Sequence, residues 1–484
     1  MKDAAPAKSG LRIAFVIPPS EALKLKFVSY QQPINLAYLA ASARSAGAVP
    51  AIWDYGMEGF TEQDFLRKIK EFDPAIIGIH CKTFNILQGN YLAGIVKKNF
   101  PGIVTIVGGP HSSAMPSQTL DEFNNFDIVA AGEADETIRE LCGSLASGTS
   151  IDDVKGLYIR KGSGIKITLA RPLIRDLDSL EYPARDLFNK EMYGKFQCTR
   201  GLPYFNINAT EIFTSRGCPG KCIFCAVNIS YGNCVRFRSV ANCLGEIEEC
   251  IGRFGYNHIV IQDDSFTLKK ERVREFLAGF RKLGLKSWSC DTRVDTVDEE
   301  LLREMASSGC RKISFGVESG SEKVLKLIKK NITPSQVKRA VGWAKKAGVK
   351  IVECTFIVGS HPDETHDDVK ASWNLIKELR PDILSVSSIV PYPGTEVCEL
   401  MKQGGYLKEF KWNDFQMIGT KLSWRTKNFS SEEITRLQHQ LINRYYFSAT
   451  YIMKRLRKIN NINEIRYWAK AAVDYLKFFS NRTK

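Results

Sequence analysis

The sequence predicts an α/β protein: a doubly wound domain, then a partial parallel barrel of six βα units, then a helical C-terminal region. Three observations predict it. Short apolar runs alternate with amphipathic stretches over the first 150 residues. A second, six-fold alternation starts near residue 206. From about residue 396 the strand pattern gives way to helical, basic and aromatic sequence. The 484 residues allow two to four domains of about 100–200 each. With 44% apolar and 25% charged residues, general disorder, collagen-like repeats and a coiled-coil rod are excluded. No apolar run approaches the ~18–20 residues of a membrane span. The first ten residues, MKDAAPAKSG, contain no apolar signal core, so the expected compartment is the cytoplasm.

In residues 1–150 the strand-like runs are Leu11–Ile17, Pro50–Asp54, Ala75–His80, Ile103–Val107 and Asp127–Ala131. They read as continuous apolar runs because a parallel sheet is covered on both faces. Helical patterns lie between them at Ile34–Ala46, Glu62–Phe72, Ile86–Asn99, Ser117–Phe123 and Asp135–Leu145. Ligands of such a sheet bind beyond the C-terminal strand ends. Those ends carry Pro18-Pro19, Cys81-Lys82-Thr83, Gly108-Gly109-Pro110-His111 and Gly132-Glu133. Residues 151–205 read as a connector with a small hairpin turning at Lys161–Gly164.

Residues 206–395 carry strands at Ala209–Thr214, His258–Ile261, Lys286–Cys290, Lys312–Val317, Val349–Val358 and Ile383–Val390. Helical patterns at Val240–Arg253, Glu271–Leu283, Glu299–Ser307, Ser335–Lys346 and Thr365–Leu379 separate them. Six βα units in series give the partial barrel. In residues 396–484, Ser430-Ser431-Glu432-Glu433 reads as a capping box with Ser430 as N-cap.

Thirteen cysteines do not suggest a disulfide framework in a long chain of a reducing compartment. Cys81, Cys142, Cys310 and Cys354 stand singly in apolar surroundings and read as small buried hydrophobes. One group differs. In Thr214-Ser215-Arg216-Gly217-Cys218-Pro219-Gly220-Lys221-Cys222-Ile223-Phe224-Cys225, three cysteines follow the first barrel strand at CxxxCxxC spacing. A closed zinc site wants four ligands, so a zinc knuckle needs Cys198 or Cys234 in addition. A four-iron cluster usually takes one thiolate per iron, and with three thiolates one iron keeps open positions. Gly217, Pro219 and Gly220 suit a tight loop around an inorganic core.

This motif, in this place, resembles the radical S-adenosylmethionine superfamily. The resemblance implies a [4Fe–4S] cluster on Cys218, Cys222 and Cys225. Its open iron binds the amino and carboxylate groups of S-adenosylmethionine, and the reduced cluster cleaves the sulfonium to a 5′-deoxyadenosyl radical. Further residues match the pattern. Phe224 stands where the family places an apolar residue beside the adenine. Asp263 and Asp264 end the second strand, near the amino group, without the Gly-Gly-Glu form. Arg293 fits the methionyl carboxylate as a two-pronged partner. Glu318 falls at the ribose hydroxyls, and Gly359 ends the fifth-strand element flanking the adenine. The competing reading of each charged residue is an ordinary strand-end salt bridge.

A doubly wound domain ahead of such a barrel resembles the cobalamin-dependent branch. Residues 1–150 then form a cobalamin-binding, Rossmann-like domain, with Gly108, Gly109, Pro110, His111, Gly132 and Glu133 as candidate cobalamin contacts. No Asp-x-His-x-x-Gly motif occurs there, so the corrinoid binds without a protein histidine in that form; His111 is the nearest candidate. Methylthiotransferases that modify transfer RNA share the layout but carry three more cluster cysteines in the first domain. Here only Cys81 and Cys142 precede residue 150. The resemblance covers residues 11 to about 410.

What it implies is an enzyme that methylates an unactivated carbon of a small molecule, lipid or peptide, with cluster and cobalamin facing one cavity. A cyclase, rearrangement or oxidation enzyme with the same cofactors is the alternative. A nucleic-acid-binding or tRNA-modifying protein stands last. An electron donor such as flavodoxin or ferredoxin is implied. The last 84 residues hold 17 Lys/Arg against 6 Asp/Glu, so they carry +11 of the net +15. Basic and aromatic residues together first suggest a helical cap over the barrel mouth, then peripheral contact with an acidic membrane surface, and last nucleic acid.

Overall fold

The computed structural model describes residues 10–19, 32–189, 192–193, 207–407, 409, 411–415, 422–457, 465 and 473. Cys198 and the aromatic residues Tyr467, Trp468, Tyr475, Phe478 and Phe479 lie outside the described residues. The chain divides into two compact units, the first built on Pro33–Met192 and the second on Tyr193–Asn228 with Asn233–Lys484.

The first unit contains a seven-stranded sheet: β1 (Arg12–Ile17), β2 (Val49–Asp54), β3 (Ile76–His80), β4 (Val104–Gly108), β5 (Ile128–Ala130), β6 (Leu157–Lys161) and β7 (Gly164–Ile167), in the order β2-β1-β3-β4-β5-β6-β7. The pairings among the first five strands are parallel. Ile13, Ala14, Phe15 and Val16 of β1 are buried, as expected of a strand covered on both faces. The order reverses between β1 and β3, which puts the ligand crevice of such a fold at their C-terminal ends. The hairpin read as part of the connector extends this sheet instead. Ile159 pairs antiparallel with Ile128, and Gly162, at φ +58, turns β6 into β7.

The second unit holds β8 (Ala209–Ile212), β9 (Ser215–Arg216), β10 (Arg236–Phe237), β11 (His258–Ile261), β12 (Trp288–Thr292), β13 (Cys310–Glu318), β14 (Ile351–Val358) and β15 (Ile383–Ser388). Six form an all-parallel sheet in chain order, β8-β11-β12-β13-β14-β15. Its core lies against the helices. Trp288 is fully buried, with Phe266 edge-on at 5.7 Å and Phe280 at 5.4 Å. β9 and β10 form a two-residue antiparallel ribbon, and the cysteine loop runs between them.

The helix Ser431–Tyr446 begins at the expected N-cap, with the Glu433 N–H donating to Ser430 Oγ, but the Glu433 carboxylate turns to His366 and Arg436, so only the N-cap half of the capping box is seen. Its buried stripe is Ile434, Leu437, Leu441 and Tyr445. Among the described residues no strand pairs with the outer side of β15. Side chains of this helix take that place. Gln438 Nε2 donates to the Val386 carbonyl at 2.8 Å, and the Tyr446 hydroxyl accepts from Leu384 N–H and donates to its carbonyl at 3.0 Å each. At its N-terminal end Ile434 packs over Gly359. The helix thus runs from a strand end along the sheet edge, where the first of the three sequence readings placed a cap over the mouth. No described helix is long and apolar enough to cross a membrane.

Candidate functional site

The cysteine loop is fixed from both ends. Before it, Asp263 at the end of β11 is buried and accepts four hydrogen bonds: Thr214 N–H (2.6 Å) and Ser215 N–H (3.1 Å) on Oδ1, and the hydroxyls of Thr214 (2.5 Å) and Ser215 (2.7 Å) on Oδ2. Arg272 holds the same segment from the other side, donating to the Thr214 carbonyl and hydroxyl. Within the loop, buried Ile223 donates its N–H to the Ile328 carbonyl (3.2 Å) and accepts from Val397 (3.0 Å). A loop that wraps a cofactor keeps its shape without one only through such outside contacts.

Two of the three thiols, Cys218 and Cys222, flank Gly220. A β-carbon there would lie 3.3 Å from Cys218 Sγ and 3.9 Å from Cys222 Sγ, and the Gly220 N–H points to Cys218 Sγ at 3.4 Å. Gly217, at φ +91, makes the bend that starts the loop. Burial raises the Cys222 thiol and pushes Cys225 up to about 11. Both are therefore thiols until a metal displaces the proton. Among the described residues no three His, Cys, Asp or Glu side chains converge as ligands of one ion. Three half-buried thiols in one loop are one ligand short of a closed zinc site and suit a four-iron cluster with one thiolate on each of three irons. The loop fits a [4Fe–4S] cluster, and Cys234 is exposed apart from it.

The other predicted residues divide. Asp264, next to the saturated Asp263, is exposed at the rim, and burial of its carboxyl, then the charge of Asp263, pushes it up to about 6. It takes one backbone bond, from Gly217 N–H, against four on Asp263, and so keeps acceptor capacity for a ligand. Arg293 is close to Gly220, but its two-pronged pair is made within the chain, to Asp295 at 2.9 and 2.8 Å, with a third bond to the Lys330 carbonyl. Glu318 is buried at the end of β13, at φ +67, and forms an ion pair of 2.9 Å with Lys330. Phe224 is half-buried in the loop. Gly359, at φ +72, ends β14 beneath Ile389 and Ile434. Lys330 and Asp295 were not singled out in the sequence. Each is one charged residue in a charged run, and only the fold brings it to the cysteines.

In the first unit the candidate residues form one rim at the ends of β3, β4 and β5. Cys81 N–H donates to the Gly108 carbonyl, and Gly132 N–H donates to Ser113 Oγ. Gly108 and Gly109 are half-buried and Pro110 and Gly132 are exposed, a small-residue surface that fits a broad planar ligand. Gly109 has a second reason to be glycine. Its φ is +115, and a β-carbon would lie 2.6 Å from the Cys81 carbonyl oxygen. His111 is turned inward, 1% exposed, facing Thr83 Oγ1 and the Phe123 ring. Glu133 is buried too, accepting from Ile174 N–H at 3.0 Å. His80, at the tip of β3, is the histidine at the reversal point. Burial, with Lys82, pushes it down to about 3, so it is neutral there, beside Asn35 at 3.5 Å.

The profile of the Radical SAM superfamily matches residues 212–376, and that of the B12 binding domain matches residues 21–142. The uncharacterized methyltransferase PH0819 of Pyrococcus horikoshii is 32% identical over 446 residues, 92% of this chain and 94% of that one. The chain belongs to the cobalamin-dependent radical S-adenosylmethionine family. A second relative of this cobalamin-dependent radical enzyme is the cytidylyl-2-hydroxyethylphosphonate methyltransferase of Streptomyces wedmorensis, 28% identical over 77% of this chain and 78% of its own. Among solved structures, the cobalamin-dependent S-adenosylmethionine radical enzyme OxsB shares the fold, with a TM-score of 0.73 over 97% of this chain and 72% of that one, at 17% identity. The enzyme's cofactors are a [4Fe–4S] cluster, S-adenosylmethionine and cobalamin.

Proposed function

We propose that this radical S-adenosylmethionine enzyme transfers a methyl group to an unactivated carbon, with Cys218, Cys222 and Cys225 as the cluster ligands. The observation that carries it is the pinned three-cysteine loop, in which two thiols flank Gly220 so closely that a β-carbon there would press on Cys218 Sγ at 3.3 Å. Similarity to PH0819 over nearly the whole chain supports the methyl outcome. When bound, the cluster and S-adenosylmethionine supply a hydrogen-abstracting radical, and cobalamin supplies the methyl group.

The chain's residues position these groups. Asp263 and Arg272 hold the approach to the loop, and Ile223 holds its far side. Asp264 offers a carboxylate to an ammonium group of S-adenosylmethionine. Arg293, held by Asp295, presents positive charge on the cysteine side. Glu318 and Gly359, at neighbouring strand ends, are the proposed ribose and adenine contacts, with Phe224 beside the adenine. Gly108, Gly109, Pro110 and Gly132 offer cobalamin a surface without bulky side chains, while inward-turned His111 and Glu133 shape that surface from below.

Anaerobic reconstitution with iron, sulfide and hydroxocobalamin tests the proposal. Wild type is expected to hold four irons per chain. It should form 5′-deoxyadenosine and S-adenosylhomocysteine together and add one methyl group to its substrate. Serine at Cys218, Cys222 or Cys225 should abolish all three. Product without added carbon would support the cyclising alternative. Flavodoxin or ferredoxin is the proposed electron donor.

The C-terminal region supports one addition. On the helix Ala449–Leu456, Tyr451 packs on Tyr445 and Tyr446, while Ile452, Met453 and Leu456 are 45–62% exposed on the other side. With the +11 charge of this region, an outward apolar face suits an anionic lipid surface. Serine at those three positions should abolish flotation with anionic vesicles; unchanged flotation refutes the contact.

A further inference from the structure

We propose that Lys330 is a positioning residue of the cluster site: its ammonium group fixes Glu318 and favours the reduced, more negative state of the cluster. The proposal rests on the assignment of Cys218, Cys222 and Cys225 as cluster ligands.

Backbone strain points to the spot. Five described non-glycine residues have positive φ, and three of them, Glu318 (+67), Lys329 (+55) and Asn331 (+55), bracket Lys330 and its partner. Left-handed backbone costs a non-glycine residue about 1–2 kcal/mol, and it persists only where the surroundings over-determine it. Here they do. Three successive carbonyls face the cluster side: Ile328 accepts from Ile223 N–H, Lys329 lies 3.9 Å from Cys222 Sγ, and Lys330 accepts from Arg293. The Lys330 N–H is tied back to the Leu325 carbonyl at 3.0 Å.

The strained turn delivers one charge to one place. Lys330 Nζ meets Glu318 Oε1 at 2.9 Å, and both side chains are only 9% exposed. Space for the pair comes from Gly316, where a β-carbon would lie 2.6 Å from Glu318 Oε1 and 2.7 Å from Lys330 Nζ. A register shift between β13 and β14 at Gly316/Glu318 turns Glu318 to it. A buried ion pair is a poor way to gain stability, since well-packed apolar residues do as well or better. A glycine notch, a strained carboxylate and a strained turn therefore have another role: placing charge. The turn that carries Lys330 lies against the cysteines: the Lys329 carbonyl is 3.9 Å from Cys222 Sγ, and Arg293, which donates to the Lys330 carbonyl, comes within 3.7 Å of a β-carbon at Gly220. Because Lys330 is buried, its charge is screened weakly. Adding an electron to a thiolate-bound cluster adds negative charge, which a fixed neighbouring cation stabilises.

The test is a redox titration of the reconstituted enzyme, followed by EPR, without substrate. Lys330→Met should keep its iron but lower the reduced-to-oxidised ratio at a fixed potential on the order of tenfold, about 59 mV for one electron. Lys330→Arg should restore most of it. Glu318→Gln, which leaves Lys330 uncompensated, should move the ratio the other way. Lys330→Met with full iron and an unchanged potential overturns the proposal, as do shifts of Lys330→Met and Glu318→Gln in the same direction. If Lys330→Met takes up no iron, Glu318→Gln decides alone, and no rise in its reduced fraction overturns the proposal. Absence of iron and sulfide from reconstituted wild type would instead overturn the cluster assignment.

Discussion

Asp263 and Asp264 are adjacent, identical in type and at the same strand end, yet replacing them has opposite expected consequences. Asp263→Ala removes the acceptor of four hydrogen bonds in a buried place. The two hydroxyls can turn elsewhere, but the Thr214 and Ser215 N–H groups cannot. At about 1–3 kcal/mol for each buried donor left unpaired, the loss is ~2–6 kcal/mol. Burial raises the pKa of the carboxyl, so ionised Asp263 already carries a desolvation cost that the alanine relieves. A net loss of about 3 kcal/mol follows. At roughly 2–4 °C per kcal/mol for a unit of this size, the melting temperature should fall by about 6–12 °C. Iron uptake should fall as well, because Thr214 and Ser215 lead directly into Cys218. Asp264→Ala gives up a single bond, from Gly217 N–H, so it should cost about 1 kcal/mol and lose S-adenosylmethionine affinity instead. The assay is a melt of each apo variant with iron determination after reconstitution. An Asp263→Ala protein that melts with wild type, or an Asp264→Ala protein that loses as much, would refute the reasoning.

Three further outcomes are expected. Gly316→Ala places a methyl group against the tips of Glu318 and Lys330, so it should cost about 1–3 kcal/mol by overpacking, and less when Lys330→Met is made as well; equal costs in both backgrounds would count against the notch. Glu364, almost wholly buried, is pushed up to about 7 by burial. A folded-state pKa raised above the ordinary 4.5 means its contribution is full below that value and lost as pH rises through about 7. Glu364→Gln should therefore gain on wild type by about 3 kcal/mol across that window, read from urea unfolding at about pH 5 and about pH 8, and parallel curves would argue otherwise. Gly109→Ala should destabilise the first unit by about 1–3 kcal/mol through its backbone conformation and the Cys81 carbonyl, measured on the cobalamin-free protein; a neutral effect there would leave only the ligand-facing explanation.

Much of this was legible in the sequence, for identifiable reasons. Strands covered on both faces advertise themselves as apolar runs, so the first five strands and the six of the second sheet appear where composition puts them. The cysteine loop is legible because its chemistry needs three residues of one type at fixed spacing. Features that depend on which donor reaches which acceptor were not. Nothing in Asp263-Asp264 says that the first will be saturated by Thr214 and Ser215, nor in Gly-Pro-His that His111 will turn inward. The ribbon β9–β10 is too short for any periodicity. Lys330 stands second in Lys-Lys-Asn, and its importance comes from left-handed backbone on either side, which neither Lys329 nor Asn331 signals. The hairpin β6–β7 was visible as a hairpin, but its alignment on β5 was not.

The bonds from Gln438 and Tyr446 to β15 carry a consequence for synthesis. The sheet grows one strand at a time in chain order, yet among the described residues the outer side of its last strand is met by side chains 52 and 62 positions later. Until that stretch leaves the ribosome, the nascent protein exposes a row of ungratified amides and carbonyls to every neighbouring polysome. A stop codon before Gln438 should thus yield chaperone-bound or precipitated product, even though every proposed cofactor ligand has already been translated.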